Sequence, residues 1–221
     1  MKNWRNHFGI IIPILVVLGL AIWPTLSDSV SNRESAFTIL KAIALASSLN
    51  ILLGYTGYVS FGHIVFLGFG GYVGLYFLNE HGWNIWMSML VAGFSSGLLA
   101  FLLGKAILRL RGAYFALATI GINEAMKAFI NNFDPFGGPI GMTLNFKVYK
   151  LYGGASEALS LAFYIMAGLT LAAIILSYLV RVSKFGLGLL AIRENEDAAE
   201  VMGVVAPNAK TWAYVLSAII P

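Results

Sequence analysis

Residues 158–180 read ALSLAFYIMAGLTLAAIILSYLV, a stretch of 23 residues without one charged side chain. As an α-helix it would be about 35 Å long at about 1.5 Å per residue. That exceeds the roughly 30 Å of hydrocarbon in a bilayer. Such a run is read as a membrane-spanning helix, and Arg181 and Lys184 follow it directly.

The rest of the chain has the same character. Of 221 residues 59% are hydrophobic and only 11% charged, with a mean hydropathy of +0.81. Soluble domains carry about 25% charged residues. This chain lacks the polar surface a water-soluble fold of its size requires, so the sequence predicts an all-α, polytopic transmembrane helical bundle. Further spans are expected over 8–25, 36–53, 61–78, 84–103 and 113–131, which makes six with 158–180. A seventh starts near 211 and is cut off at Pro221, because 11 residues cannot cross the hydrocarbon. The expected organisation is a single transmembrane domain over 1–221. It has membrane helices over 8–180, a polar loop over 181–210 and the start of a further helix over 211–221.

The N-terminal MKNWRNHFGIIIPILVVLGLAIWPTLSD has the basic start and apolar run of a signal peptide. Its apolar run is long for one and no A-x-A-like site follows, so an uncleaved first helix is expected. Basic residues orient the bundle. With the N-terminus in the cytoplasm, the inner segments hold Lys2, Arg5, Lys105, Arg109, Arg111, Arg181, Lys184, Arg193 and Lys210. The outer segments hold only Arg33, Lys147 and Lys150. Residues 181–210 are therefore expected on the cytoplasmic side.

Few residues carry recognisable chemistry. There is no cysteine, hence no disulfide or thiolate metal site. His7, His63 and His81 stand far apart, outside any metal-binding spacing. GGPIGMT at 137–143 lacks the lysine of a phosphate-binding loop, so the chain is not expected to hydrolyse ATP itself, and if its work needs ATP another subunit must supply the site. No catalytic residue, cofactor, metal or nucleic-acid partner is expected. The span 54–74 holds seven glycines. Gly54, Gly57 and Gly62 crowd one stretch with His63, and Gly70 and Gly74 have the small-xxx-small spacing of close helix crossings. Two readings stay open: a packing seam with a turn, or a broken helix lining a path. Lys41, Glu124 and Lys127 are ionisable groups within expected helices. Lys41 is placed to snorkel outward. Glu124 and Lys127, at i and i+3, can pair locally or line a substrate path. The connection 132–157 reads as loop and turn.

The polar passage after Arg181 is the other exception. Glu194, Glu196, Asp197 and Glu200 lie within seven residues. Asn195 is a good N-cap, Glu196 and Asp197 fit the first turn, and Gly203 suits the residue after the C-cap. A helix of about two turns follows, with Ala198, Ala199, Val201 and Met202 as small and apolar surface. It is too short to stand alone and needs packing from elsewhere.

Asp197, Ala198, Ala199 and Gly203 form D-A-A-x-x-x-G, which is similar to the E-A-A-x-x-x-G cytoplasmic loop of ABC importer permeases. The longer SKFGLGLLAIRENEDAAEVMGVVAPNAKTWAYVLSA resembles the permeases of branched-chain amino acid ABC importers, the LivM type. LNILLGYTGYVSFGHIVFLGFGGYVGLY, LRGAYFALATIGINEAMK and GGPIGM agree in the same order. The resemblance implies a second, homologous permease, two ATP-binding subunits on the cytoplasmic face and an extracytoplasmic substrate-binding protein. It places the chain in the plasma (inner) membrane of a bacterium or archaeon. It makes 196–203 the coupling element, with Arg193 and Glu194 beside it, and leaves Gly54, Gly57, Gly62, His63, Gly70, Gly74 and Glu124 as path or packing residues. Asp197 departs from the usual Glu. Members of the family are commonly longer, so a truncated chain is expected. Related permeases serve urea and other amides, which leaves an amide permease as the alternative substrate class. A secondary transporter is the rival class, disfavoured by the docking motif and the sparse intramembrane charge.

Overall fold

The computed structural model describes residues 3–27 and 30–221, with side chains over 10–24 and from 31 onward. Lys2 and the side chains of Arg5 and His7 lie outside the described residues. All regular elements among the described residues are helical: α1 Asn3–Ser27, α2 Val30–Thr56, α3 Ile64–Glu80, α4 Ile85–Ile107, α5 Ala113–Asn131, α6 Phe146–Leu151, α7 Ala155–Val182, α8 Lys184–Glu194, α9 Glu196–Val201 and α10 Ala206–Ile219.

Each expected span falls on one of α1 to α5 or α7. Three stretches are long and apolar enough to cross a bilayer by length and composition: Ser31–Thr56, Ile85–Ile107 and Ala155–Val182. Ile10–Pro24 and Ile64–Glu80 are shorter apolar helices.

α2 is the wall between two cores. On one side Val17 of α1, Ala36 and Leu40 of α2, and Phe163, Ala167 and Ile174 of α7 pack together. Without a hydrophobic drive between helices in lipid, interhelical hydrogen bonds add specificity. Thr170 Oγ1 donates to Leu40 O (3.1 Å), Asn50 Nδ2 to Ser177 Oγ (3.2 Å) and the Tyr55 hydroxyl to Ser177 O (2.9 Å). On the other side the ends of α2 and α4 and the starts of α3 and α5 meet α8, α9 and α10.

Small residues bring the second set close. A Cβ on Gly70 would lie 2.6 Å from Ser96 Oγ of α4, and one on Gly97 would lie 2.9 Å from Ile219 Cγ1 of α10. Both crossings depend on the missing side chain.

Four expectations change. α2 runs through Gly54 and ends three residues later than 53. The helix stops where a positive φ is needed, at Gly57 (φ 75°), whose N–H bonds Leu53 O. The connection 132–157 is more than a solvated link. It holds two single-turn 3-10 helices and α6, and Phe136 is buried against Tyr72, Tyr76 and Phe69 of α3. The last helix begins at Ala206 rather than near 211, because Pro207 sits in its first turn, where a proline N–H is not needed. Glu124 and Lys127 form no ion pair with each other among the described residues, and both are exposed.

The polar ends sort onto two faces. Tyr58 and residues 108–112 and 183–205 gather on one, joined by Tyr58 to Glu196, Arg193 to Gly54 and Arg111 to Asp197. Arg33 with Ser160, Asn79 with Thr143, and Tyr152 with Asn84 gather on the other.

Candidate functional site

The polar passage folds into α8, a one-residue link and α9. Asn195 is extended (φ −159°, ψ 110°), and its Oδ1 accepts the Ala198 N–H at 3.0 Å. This supplies a partner to one of the free donors of the first turn. At the other end Gly203 N–H bonds Glu200 O (3.0 Å) and Val204 N–H bonds Ala199 O (3.0 Å), with Gly203 at φ 93°. That pair of bonds is a Schellman motif, and it needs a residue free to take positive φ.

The capped helix is tied to the bundle by a closed polar triangle. Lys210 Nζ of α10 donates to Glu196 Oε1 (2.7 Å) and to the Tyr58 hydroxyl (3.0 Å). The Tyr58 hydroxyl donates to Glu196 Oε2 (2.7 Å). Lys210 also lies 4.6 Å from the centre of the Tyr58 ring, a cation–π contact. The lysine is 1% exposed and the Glu196 side chain 13%. A buried ammonium is tolerated because its charge meets a carboxylate and its donors meet acceptors.

Arg111, from the turn after α4, closes the outer side. Its NH1 donates to Asp197 Oδ1 at 2.9 Å, and its Nε stands 3.6 Å from Glu196 Oε1. Arg193 NH1 donates to Gly54 O at 2.8 Å, so the end of α8 is bonded to the end of α2. Tyr58 is set edge-on to Phe115, the buried start of α5.

The electrostatics follow from these contacts. Burial pushes the Glu196 carboxyl up, but hydrogen bonds from Lys210 and Tyr58 and the charges of Lys210 and Arg111 outweigh it. The group titrates below its usual value. Burial, then the hydrogen bond to the Glu196 carboxylate, pushes the Tyr58 phenol up and keeps it a donor. The hydrogen bond to Asp197 and the charge of Glu196 strengthen the protonation of Arg111.

The expected coupling residues divide in two. Glu196 and Ala199 are turned into the bundle, Ala199 in its core, while Arg193 and Asp197 are exposed but bonded to it through Gly54 O and Arg111. Ala198, Glu200, Glu194 and Gly203 are exposed. Val201 (87% exposed) and Met202 (84%) project from the same tip. One side of α9 is glued down and the other displays apolar side chains.

The remaining expected residues do not form one site. Gly54 and Gly57 belong to the α2 terminus beside Arg193. Gly62 lies against α5, where a Cβ would stand 2.6 Å from Thr119 O. His63 is buried and its Nε2 meets Ser217 O of α10 at 2.9 Å. Gly70 and Gly74 pack α3 on α4. Glu124 stands apart on the exposed face of α5. Residues 57–63 are the only non-helical backbone between α2 and α3, and they run inward between α5 and α10. Among the described residues no group of three or more His, Cys, Asp or Glu is placed to hold a metal.

The sequence profile of the family described as the branched-chain amino acid transport system permease component matches residues 34–220. The chain belongs to this family. The match takes in the 57–63 segment, α9 and α10, which together build the polar triangle. The permease is 28% identical to the high-affinity branched-chain amino acid transport system permease protein LivM of Salmonella typhimurium and 27% identical to that of Escherichia coli, each over 92% of its own length. It spans 53% of the length of either relative. No solved structure matches it. Its family is defined by transport and not by a catalysed reaction.

Three residues of the permease's site escaped sequence reasoning. Arg111 and Lys210 counted there only as inner-face charges, and Tyr58 was not singled out. Lys210 carried one available signal: it directly precedes the largely apolar run TWAYVLSA, where a lysine has to find a partner.

Proposed function

We propose that this chain is a membrane-spanning permease subunit of an ATP-driven ABC importer for branched-chain amino acids. In this reading α1 to α5 and α7 all cross the inner membrane, and the N-terminus and α9 are cytoplasmic. Two ATP-binding subunits seat on α9, a second homologous permease completes the path, and an extracytoplasmic binding protein delivers the substrate.

One observation carries the coupling role. α9 is capped at both ends and bonded to α4, α10 and the 57–63 segment, yet exposes Val201 and Met202 almost fully. An exposed apolar tip on a rigidly held polar element is a surface made for a partner. A push on α9 passes through Glu196 to Tyr58 and Lys210, and so to the break before α3 and to the start of α10. The close α3–α4 and α4–α10 crossings then transmit it as rigid-body movement.

The test is Val201→Lys with Met202→Lys in the full-length chain, expressed with its partner subunits. Membrane insertion is retained, and both co-purification of the ATP-binding subunits and leucine uptake are lost. Wild-type uptake of leucine by this variant overturns the coupling role. Uptake of urea but not leucine by the unaltered complex overturns the substrate.

A further inference from the structure

One pair of charges in the bundle has no use in the coupling cluster. Glu124 and Lys127 are exposed on α5, and no ion pair or side-chain hydrogen bond joins either to another of the described residues. Their depth follows from neighbouring contacts. Phe61 N–H bonds Thr119 Oγ1 (3.1 Å), and two residues on, His63 bonds Ser217 O of α10, 11 residues past Ala206. That is about 16 Å from the start of α10, near the middle of a hydrocarbon layer of about 30 Å. Glu124 lies just over one turn beyond Thr119 and Lys127 one turn further. That sets them about 8 and 12 Å past the Thr119 level, in the outer half of the bundle, where charged groups on a membrane helix turn to water or protein rather than lipid.

The side chains around the pair have a definite pattern. Leu117, Ile120, Glu124 and Lys127 follow i, i+3, i+7 and i+10, which places them on one stripe of α5. Leu117 and Ile120 are exposed apolar groups. Beside the stripe a groove of about 230 Å³ runs between α5 and α3, lined by Lys127 with Asn123, Asn131 and Tyr72. It is smaller than the clefts of about 300–1,000 Å³ that take drug-sized ligands.

Resting on the permease reading above, we propose that this stripe and groove hold a zwitterionic amino acid with an apolar side chain during its passage. Glu124 takes the ammonium group. Lys127, with Asn123 beside it, takes the carboxylate. The apolar side chain lies along Ile120 and Leu117. A molecule carrying both charges on one carbon satisfies both residues at once. An uncharged amide satisfies neither.

The test uses the full-length chain assembled with its partner subunits in proteoliposomes, with ATP supplied and labelled leucine as the probe. Lys127→Met and Glu124→Gln each lower leucine uptake by roughly tenfold or more, about 1.4 kcal/mol of lost interaction, with the complex still assembled. Lys127→Arg and Glu124→Asp recover most of the uptake. The chain contains no cysteine, so Asn123→Cys adds a single thiol. A membrane-impermeant thiol reagent modifies it, read by the mass of this chain, and leucine slows the reaction. Wild-type uptake by both neutral variants overturns the proposal, and so does a thiol that does not react or is indifferent to leucine. If the unaltered complex takes up no leucine with ATP, it is the permease reading itself that fails.

Discussion

Lys210 Nζ lies 2.7 Å from Glu196 Oε1, and the lysine is 1% exposed. The two residues are 14 apart in sequence, on α10 and α9, and Tyr58 binds both. A pair held this way is expensive to break from one side. Lys210→Met leaves Glu196 buried without its main partner and costs roughly 3 kcal/mol, the low end of the range for such pairs because the carboxylate keeps some water. Lys210→Met combined with Glu196→Leu recovers most of this. A double-mutant cycle by denaturant titration in micelles measures the coupling. Strictly additive losses would show that the contact is incidental.

The same pair sets a pH dependence. Glu196 titrates below its usual value in the folded chain. The undocked form therefore binds the proton first, as pH falls past about 4.3. The stabilisation is complete above that value and disappears as pH drops through the lowered folded value. Amide exchange in α9, corrected for intrinsic rates, is expected to be level from about pH 8 to 5 and to rise below about pH 4. Glu196→Gln abolishes the step.

The caps of α9 are separable from its anchor. Asn195→Ala removes the acceptor for the Ala198 N–H and costs about 1 kcal/mol. Gly203→Ala places a Cβ at φ 93° and costs about 1–2 kcal/mol. Each loosens α9 without disturbing α2 to α4, which site-resolved exchange at Ala198 and Val204 will detect. Equal loosening throughout the bundle would contradict a local role.

Adjacent glycines of α3 are expected to differ. An Ala Cβ at position 70 meets Ser96 Oγ at 2.6 Å, where that hydroxyl already bonds Phe66 O. A Cβ at Gly71 has nothing within 4 Å. Gly70→Ala is expected to cost about 1–3 kcal/mol through overpacking. Gly71→Ala is neutral or slightly stabilising, since Ala is the better helix former by about 1 kcal/mol. Thermal unfolding of the two variants in one detergent distinguishes them, and similar values would mean that the α3–α4 crossing is not tight.

Much of this was legible in the linear chain. Long uncharged runs marked the helices, because burying backbone in lipid leaves helices as the available structure for a chain patterned this way. Asn195 and Gly203 marked the ends of α9, because caps are local hydrogen-bonding devices. The glycine spacing marked a close crossing but not its partner. Where sequence reasoning went astray, the deciding factor was distant. Gly54 stayed helical because the positive φ falls at Gly57. Ala199 turned into the core because Glu196, three residues before it, is held by Tyr58 and Lys210. Glu124 and Lys127 had the spacing to pair and do not.

The sequence by itself determined that this is a helical membrane chain, where its long apolar helices lie, and that one short capped helix stands among acids outside them. Composition and short-range hydrogen bonding suffice for that. Only the tertiary structure decided what the helix is fastened to. Tyr58, Arg111, Glu196 and Lys210 come from four separate stretches of the chain, and buried charge is tolerated only where the partners converge. That convergence is produced by the packing of α2, α4 and α10 and is written in no single stretch of the chain.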